Sequence, residues 1–526
     1  MSHEASGFQE EPQAEHGKIL RRAFFMASGT LTSRVLGLFR DMALAALFER
    51  SVTDAWTAAF RLPNLFRRLL GEGSLSVSFI PVFIEARLED PTGARARNLA
   101  NALYTLLLIF LGSLTLLGIF SMEEILRWLL SSSYLQQTEK WQLTVRLARI
   151  MFGFVYFVCS YAYFMGILNA LGSFGLPAVA PALLNVSMLI FTFLPPSWFA
   201  QYGDGLALGV LVGGILQAAL LWAALKARGY LPQISRTLWN DDVKKVLLNM
   251  MPGLLGMGLL QFATLVNLHF ASGIGEGAIS YIYWADRLLE LPLSLVSVSL
   301  GAALLPTLSE LALARDRSRF QETVEEHFLF TLFLAWPAAL GLFFLATPIV
   351  EVLFQRGHFS SQDAQNTAMV LKVYSLSLLF VSGVRILSPA FYAVKNTWWP
   401  AVISLCALVL HMSWAGWWIH RAGLQGLVIS SLLAVALQFV VLMVSLRFSI
   451  MKFRWRKILV ELFKMIVAGS VQVAAIQIYE PLLSLVGAMG ILKIFVLIAT
   501  IALGGAGYLG SSFLLRSRFL QMLRKR

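Results

Sequence analysis

The stretch at residues 28–73 decides the fold, because it has the pattern of two membrane-spanning helices that contain charged side chains. Its two helical segments are SGTLTSRVLGLFRDMALAALF (28–48) and TDAWTAAFRLPNLFRRLLGEG (53–73). If the first helix begins near Phe24, Arg34 lies about 15 Å along it, close to the middle of a hydrocarbon layer about 30 Å thick. An arginine there costs roughly 2.5–3.5 kcal/mol if it faces lipid. The charged side chains must therefore face protein or water: Arg34, Arg40, Asp41, Asp54, Arg61, Arg67, Arg68 and Glu72.

The charged side chains of each helix gather on one face when the sequence is drawn at about 100° per residue. Arg34 and Arg40 lie on either side of Gly37, within a sector of about 120° that also holds Ser33 and Asp41. A cationic sector with a glycine at its centre predicts the close approach of an anion. The second helix has a polar face about 80° wide, formed by Asp54, Arg61, Asn64, Arg68 and Glu72.

Two questions about these helices stay open at this point. Pro63 must kink the second helix, so helical phase does not choose between Arg67 and Arg68 as the residue on the polar face. The charged residues also have a purely structural interpretation, in which they pair with one another. The candidate pairs are Arg34 and Arg40 with Asp41, Arg61 with Asp54, and Arg68 with Glu72.

A second charged patch lies in YIYWADRLLELP (281–292). Asp286 and Glu290 are four residues apart and Arg287 and Glu290 are three apart, so on a helix the three can form a local ion-pair cluster. Over both patches, six arginines exceed five carboxylates by one. Guanidinium groups match phosphate oxygens with two parallel hydrogen bonds, so the set predicts an anionic, phosphate-bearing ligand.

The composition is that of a membrane protein. Of 526 residues, 58% are hydrophobic and 13% are charged, whereas a soluble domain carries about 25% charged residues. About fourteen apolar runs of roughly 20 residues follow one another, which predicts an all-α polytopic membrane protein with about fourteen transmembrane helices. The two cysteines support neither a disulfide framework nor a CxxC metal site, and we expect no metal or cofactor.

The basic residues predict the topology. Lysines and arginines precede the first span and recur in every second loop, so both termini are expected to be cytoplasmic. Much of the net charge of +13 is then topological, which argues against a nucleic-acid partner. Residues 1–17 are polar and acidic and lack a hydrophobic run, so we expect a disordered tail rather than a signal peptide.

An internal repeat divides the chain into two halves. Pro81 and Pro306 occupy similar segments, FIPVFIEARLE and LLPTLSELALA, at an offset of 225 positions. Arg61 and Arg287 align at an offset of 226, and Pro177 and Pro400 align at 223, in the same order. The repeat predicts two six-helix lobes of the same orientation, followed by two further helices. The expected boundaries are 18–228, 229–447 and 448–526.

The motifs SRVLGLFRD, FRLPNLFRRLLGEGSLSVSFIPVF and YWADRLLELP resemble those of the MurJ (MviN) family, the lipid II flippases of bacterial cell-wall synthesis within the MOP transporter superfamily. The resemblance extends from about Lys18 onward. It implies fourteen helices, a V-shaped cationic central cavity, and alternating access that carries a lipid-linked disaccharide-peptide from the inner to the outer leaflet. By motif position, the residues similar to the family's cavity residues are Arg34, Arg40, Asp54, Arg67 and Arg287, with acidic partners Asp41, Asp286 and Glu290.

The resemblance also implies partners and a location. We expect the bacterial inner membrane, a lipid-linked glycan-peptide substrate, contact with membrane lipids and the cell-wall synthesis machinery, a monomer, and a groove for the prenyl tail in the last two helices. Some relatives bind sodium through carboxylates on helices seven and twelve. Here span seven offers Asn267 and His269, and spans eleven and twelve contain no Asp or Glu. The coupling ion is therefore left open, and the membrane potential is the expected driving force.

Three other functions are weighed against a lipid II flippase. A flippase for another polyprenyl-linked glycan, or another MOP-type exporter, would share the fold, although an exporter of cationic drugs should present carboxylates where this chain presents arginines. A membrane enzyme acting on polyprenyl phosphates would need a carboxylate pair or metal motif, and the sequence contains neither DxD nor HxxxH. Asp241 and Asp242 are better explained as the start of a helix. A non-transporting scaffold would not need arginines within the bilayer.

Overall fold

The structure is a computed structural model that describes residues 32–294, 299–486 and 490–519. The expected tail at residues 1–17 and the basic residues before the first span lie outside these ranges. Within them the regular structure is helical and no strand occurs. The α-helices are α1 (32–47), α2 (Arg50–Phe66), α3 (Leu75–Glu89), α4 (Ala94–Phe120), α5 (Met122–Leu129), α6 (Ser132–Leu135), α7 (Thr138–Ala170), α8 (Gly175–Phe193), α9 (Asp204–Ala227), α10 (Asp241–Ser272), α11 (Ala278–Leu293), α12 (Ser299–Leu313), α13 (Arg317–Phe344), α14 (Ala346–Phe354), α15 (Ser361–Ala393), α16 (Trp398–Ser449), α17 (Trp455–Ile476), α18 (Tyr479–Val486) and α19 (Gly490–Leu514).

These helices confirm the predicted number of spans. Among the described residues, nine helices are individually long and apolar enough to cross a membrane. The 52-residue α16 supplies two spans, because Ala422 and Gly423 leave the helical conformation at its middle. Gly423 has φ 54°, a left-handed conformation that glycine adopts without steric cost. With α1, α10, and the second and eighth spans, each of which contains two successive α-helices, the described helices account for six spans in each half and two at the C-terminal end.

The second span changes its helical pitch. Pro63 is buried inside α2 and supplies no N–H to the carbonyl one turn earlier. A π-helix at Arg67–Ser74 follows directly and leads into α3. Because a π-helix bonds residue i to i+5, side chains beyond Phe66 no longer follow the 100° spacing on which the predicted polar face rested. The span is therefore one continuous helix whose two parts have different phases.

The predicted repeat corresponds to equivalent helices in the two halves. Arg61 lies on α2 and its counterpart Arg287 on α11, which begin the second span of each half. Pro81 lies on α3 and Pro306 on α12, each completing that span. By packing, the chain divides into two compact units, one ending at Leu268 and one beginning at His269, so that the division falls within α10. The boundaries at 228 and 447 follow from the repeat and stay predictions.

Each unit has its own aromatic and aliphatic core. In the first, Trp56 stacks on Phe60 with ring centroids 5.1 Å apart, and Tyr163 packs edge-on against Phe79 at 5.3 Å. In the second, a buried cluster joins α12, α13, α15, the second part of α16, α17 and α19. The two C-terminal spans thus belong to the core of the second unit.

A proline in α13 provides polar attachment points for these two spans. Pro337 cannot donate a backbone hydrogen bond, which leaves the carbonyl of Phe333 without its helical partner. The buried hydroxyl of Tyr508, on α19, donates to that carbonyl over 2.9 Å. Gln472 Nε2, on α17, donates to the carbonyl of Pro337 itself over 2.8 Å. Both C-terminal spans therefore bind the helix where the proline exposes its backbone.

Removing the hydroxyl of Tyr508 should loosen this attachment. We expect Tyr508→Phe to lower the unfolding free energy by about 1–2 kcal/mol, because it leaves a buried carbonyl without a donor. Thermal unfolding of the purified protein in detergent would measure the shift. Tyr104→Phe is the matched control, since no described residue bonds the hydroxyl of Tyr104. Equal midpoints for both variants would mean that another group satisfies the Phe333 carbonyl.

Candidate functional site

The arginine in the middle of α1 is enclosed by its own unit. Arg40 is 4% exposed, and its Nε and Nη2 donate to Asp41 Oδ1 over 2.9 and 2.6 Å. Its Nη1 donates to Oδ1 of Asn185, on α8, over 2.9 Å. Asn185 in turn donates to the backbone carbonyl of Ser33 over 2.8 Å. The structural pairing of Arg40 with Asp41, which the sequence left open, is therefore present and is tied to a neighbouring helix.

The glycine of this helix does not face an open space. A Cβ atom on Gly37 would lie 3.6 Å from the amide of Asn185, so α8 covers that part of α1. Asn185 occupies part of the space beside Gly37, and the predicted approach of an anion to this helix stays a prediction. Arg34 lies almost two turns before Arg40 and is half-buried, which leaves part of its side chain accessible.

The carboxylate at the start of α2 has a partner that sequence reasoning missed. Asp54 is fully buried, and its Oδ2 accepts a hydrogen bond from Lys140 Nζ on α7 over 2.7 Å. Lys140 is only 7% exposed, and its ammonium lies 4.9 Å from the ring centroid of Tyr134. Burial raises the pKa of Tyr134, so this residue stays a neutral phenol beside the ion pair. Asp54 is thus a residue of the interior of the first unit.

Little in the sequence indicates that Lys140 is the partner of Asp54. It stands near the beginning of an apolar run, where a lysine normally extends toward water. The 86 positions between Lys140 and Asp54 give no local reason to pair them. The suggested pairing of Arg61 with Asp54 stays a prediction.

The middle of the second span, where α2 meets the π-helix, carries the more accessible arginines. Arg61, Arg67 and Arg68 are all half-buried, as is Asn64. Arg67 Nε donates to Asn64 Oδ1 over 2.9 Å across the junction with the π-helix. Arg67 and Arg68 are both half-buried, so burial does not decide which of the two lies on the polar face of the second span. The side chain of Glu72 lies outside the described part of the structure.

The second unit presents its own charged cluster on α11. Arg287 Nη1 donates to Glu290 Oε2 over 3.1 Å, which confirms the predicted local ion pair. Its Nη2 donates to the hydroxyl of Tyr283 over 3.1 Å, and its guanidinium lies 4.9 Å from the ring centroid of that tyrosine. The side chains of Arg287 and Glu290 are 28% and 41% exposed, and Asp286 is half-buried. A ligand can therefore reach this arginine, whose fork Tyr283 helps to orient.

Asp241 and Asp242, the adjacent carboxylates considered above for an enzyme, lie at the start of a helix. α10 begins at Asp241, which confirms the predicted helix start. Asp242 Oδ2 and Oδ1 accept hydrogen bonds from Nε and Nη2 of Arg95, on α4, over 2.8 and 2.7 Å. Asp242 is 6% exposed. The ion pair between Arg95 and Asp242 thus fixes the start of α10 against α4.

Comparison with known proteins identifies the family. The family model described as Lipid II flippase MurJ matches residues 43–498 of the chain.

The chain belongs to the lipid II flippase MurJ family.

Relatives in this family are similar over most of their length. The chain is 59% identical over 525 residues to the probable lipid II flippase MurJ of Bdellovibrio bacteriovorus, covering 100% of this chain and 99% of the relative. It is 34% identical over 434 residues to the lipid II flippase MurJ of Burkholderia cenocepacia, covering 81% and 84%. As a member of the MurJ family with fourteen helical spans, the chain is an integral membrane protein.

Solved structures share the fold of this MurJ-family chain. A lipid II flippase MurJ in an inward closed conformation matches it with a TM-score of 0.73 at 24% identity, covering 92% of this chain and 98% of that one. An inward-facing multidrug resistance MATE family transporter of the MOP superfamily matches with a TM-score of 0.68 at 16% identity, covering 81% and 98%. The all-α polytopic fold is therefore the one shared by these transporters.

The two halves of the MurJ fold contain buried polar links at equivalent positions. In the second, the Tyr281 hydroxyl donates to Asp363 Oδ1 over 2.5 Å, joining α11 and α15. Asp363 follows Lys140 by 223 positions, and Tyr281 follows Asp54 by 227, close to the offsets of the sequence repeat. Each half thus connects its second and fourth spans by a polar contact, with different side chains. This equivalence supports a structural role for Asp54 and Lys140.

Proposed function

We propose that this protein is a flippase for lipid II, the undecaprenyl-diphosphate-linked peptidoglycan precursor, and moves it from the cytoplasmic to the periplasmic leaflet by alternating access. The observation that carries the proposal is similarity over the whole chain to a probable lipid II flippase, at 59% identity. MurJ-family proteins are named as flippases, and the transport of a lipid-linked substrate within a membrane requires no catalytic residues.

The accessible arginines suit the diphosphate of this substrate. Arg34, Arg61, Arg67 and Arg68 in the first unit and Arg287 in the second are half-buried. Guanidinium groups at membrane depth are costly unless an anion, a carboxylate or water compensates them. We propose that these arginines bind the diphosphate, with Asn64, Asp286 and Glu290 as polar neighbours and Glu72 as a further candidate. Arg40 and Asp41, which are paired and buried, and Asp54 would support the helices that carry the binding residues.

The location and partners follow from the substrate. We propose that the protein resides in the bacterial inner membrane as a monomer with both termini in the cytoplasm. The alternation of basic loops supports this orientation. The last two spans would hold the prenyl tail, and contact with the cell-wall synthesis machinery would deliver the precursor to its users.

Complementation tests the proposed substrate. In cells depleted of their own flippase, expression of this chain should restore exposure of labelled lipid-linked precursor at the outer leaflet. An empty vector gives the background, and membrane abundance of the chain is measured in parallel. A folded, inserted chain that leaves exposure at background would point to another polyprenyl-linked glycan as the substrate.

The membrane potential is the proposed driving force. With the cell interior negative, two phosphate charges moving outward gain about 4.6 kcal/mol per 100 mV. The same field would return the unloaded cationic residues inward, so no cofactor is needed and a coupling ion is not required. Transport by the protein in vesicles should therefore accelerate under an imposed diffusion potential of the favourable sign and slow under the opposite one. A rate that is the same at both potentials and at zero would refute this driving force.

A further inference from the structure

A small basic pocket lies where the second part of α16 leads into α17. Its volume is about 320 Å³, and it is lined by Arg447, Phe448, Lys452, Phe453 and Trp455. None of these residues belongs to the arginine clusters described above. Arg447, Lys452 and Trp455 are residues of the kinds found where proteins meet lipid headgroups.

The two basic side chains of this pocket form no ion pair with the described residues. No carboxylate of a described residue forms an ion pair with Arg447 or Lys452. The neighbouring Arg454 differs, because its Nε and backbone N–H both donate to Glu325, over 2.6 and 2.8 Å. Lys457 likewise lies 3.6 Å from Glu326. The acidic side chains of α13 are thus directed to these two residues, and the pocket keeps its positive charge.

The pocket also contains a hydrogen-bond donor without an acceptor. Trp455 Nε1 is buried, and no described residue accepts its hydrogen bond. The guanidinium of Arg447 lies 5.8 Å from the ring centroids of both Trp455 and Phe448. Phe448 is 81% exposed, whereas Phe453 is 6% exposed. An occupant should therefore combine a negative charge, hydrogen-bond acceptors and an apolar part.

We propose that this pocket binds an anionic phospholipid of the cytoplasmic leaflet. The lipid phosphate would lie against Arg447 and Lys452, and an acyl chain would lie along Phe448. The pocket lies in a basic loop that the positive-inside pattern places in the cytoplasm, where anionic headgroups are attracted to lysine and arginine. The bound lipid would link the C-terminal pair of spans to the end of α16.

Native mass spectrometry of the purified full chain tests the proposal. Phosphatidylglycerol and phosphatidylcholine are titrated separately, and bound lipid is counted for the wild type and for Arg447→Gln/Lys452→Gln. We expect the apparent affinity for phosphatidylglycerol to fall about tenfold in this double variant, since each basic group at an anionic surface contributes a several-fold effect. Phosphatidylcholine should bind equally weakly to both proteins.

Matched variants make the result specific. Arg228→Gln/Lys244→Gln removes two exposed charges that are predicted to lie on the same side of the membrane, and it should keep wild-type affinity. Trp455→Phe, which replaces one lining side chain by a smaller ring that has no N–H, should weaken binding by a smaller factor and guards against a folding defect in the double variant. Equal loss in the pocket and control double variants would show non-specific attraction and overturn the proposal. Displacement of the lipid by millimolar inorganic phosphate would also overturn it, by making the pocket a site for soluble anions.

Discussion

Arg287→Ala should abolish most of the transport of labelled lipid-linked precursor while leaving the protein folded. The side chain is partly exposed and held in place by Tyr283 and Glu290 through hydrogen bonds of 3.1 Å. A charge-assisted hydrogen bond contributes about 1.5–3 kcal/mol, so the loss of one such contact to a diphosphate slows transport by roughly 10- to 150-fold. The loss of a bidentate contact should slow transport by a larger factor.

The fold should tolerate this change. Glu290 is 41% exposed, so water can solvate its carboxylate when the arginine is removed. Transport is scored in flippase-depleted cells at matched membrane abundance. Arg287→Lys keeps the charge but loses the planar fork, and it should restore only part of the activity. Arg319→Ala is the control, because Arg319 is 79% exposed on the surface of α13. Full transport by Arg287→Ala would show that the arginine does not bind the substrate.

Lys140→Ala should destabilise the first unit severely. Removing one partner of a buried ion pair costs about 3–5 kcal/mol, because the remaining carboxylate loses the ammonium that offsets its burial. The pair with Asp54 is 2.7 Å long, and the two side chains are 6% and 0% exposed. We expect a lower unfolding midpoint and a lower amount of protein in the membrane. Arg127→Ala, which breaks exposed ion pairs on α5, should change the unfolding free energy by less than about 1 kcal/mol.

A double substitution separates a structural role for Asp54 from substrate binding. Asp54→Asn with Lys140→Met removes both charges, and such replacements of buried pairs are often nearly neutral for stability. If the pair only supports the fold, the double variant should recover both its unfolding midpoint and its transport. Recovery of stability without transport would mean that the carboxylate of Asp54 takes part in the transport cycle. Failure to recover stability would contradict the ion-pair explanation.

The sequence by itself determined the membrane class, the spans and the repeat. Apolar runs of membrane-spanning length leave little alternative to helices, because the bilayer offers no partners for backbone polar groups. It also determined the contact between Arg287 and Glu290, since residues three apart on one helix are necessarily neighbours. The pairing of Arg40 with Asp41 stayed open in the sequence, because adjacent residues on a helix point in different directions.

Only the tertiary structure decided which distant helices share polar contacts. Asn185 reaches Arg40 across 145 positions, and Lys140 reaches Asp54 across 86, through packing that periodicity does not specify. The change to π-helical pitch after Phe66 also escaped the sequence, because a helical wheel assumes a constant angle per residue. Local spacing therefore fixed the contacts within a helix. Contacts between helices depend on the side chains that each neighbour presents, and only the packed structure supplied those.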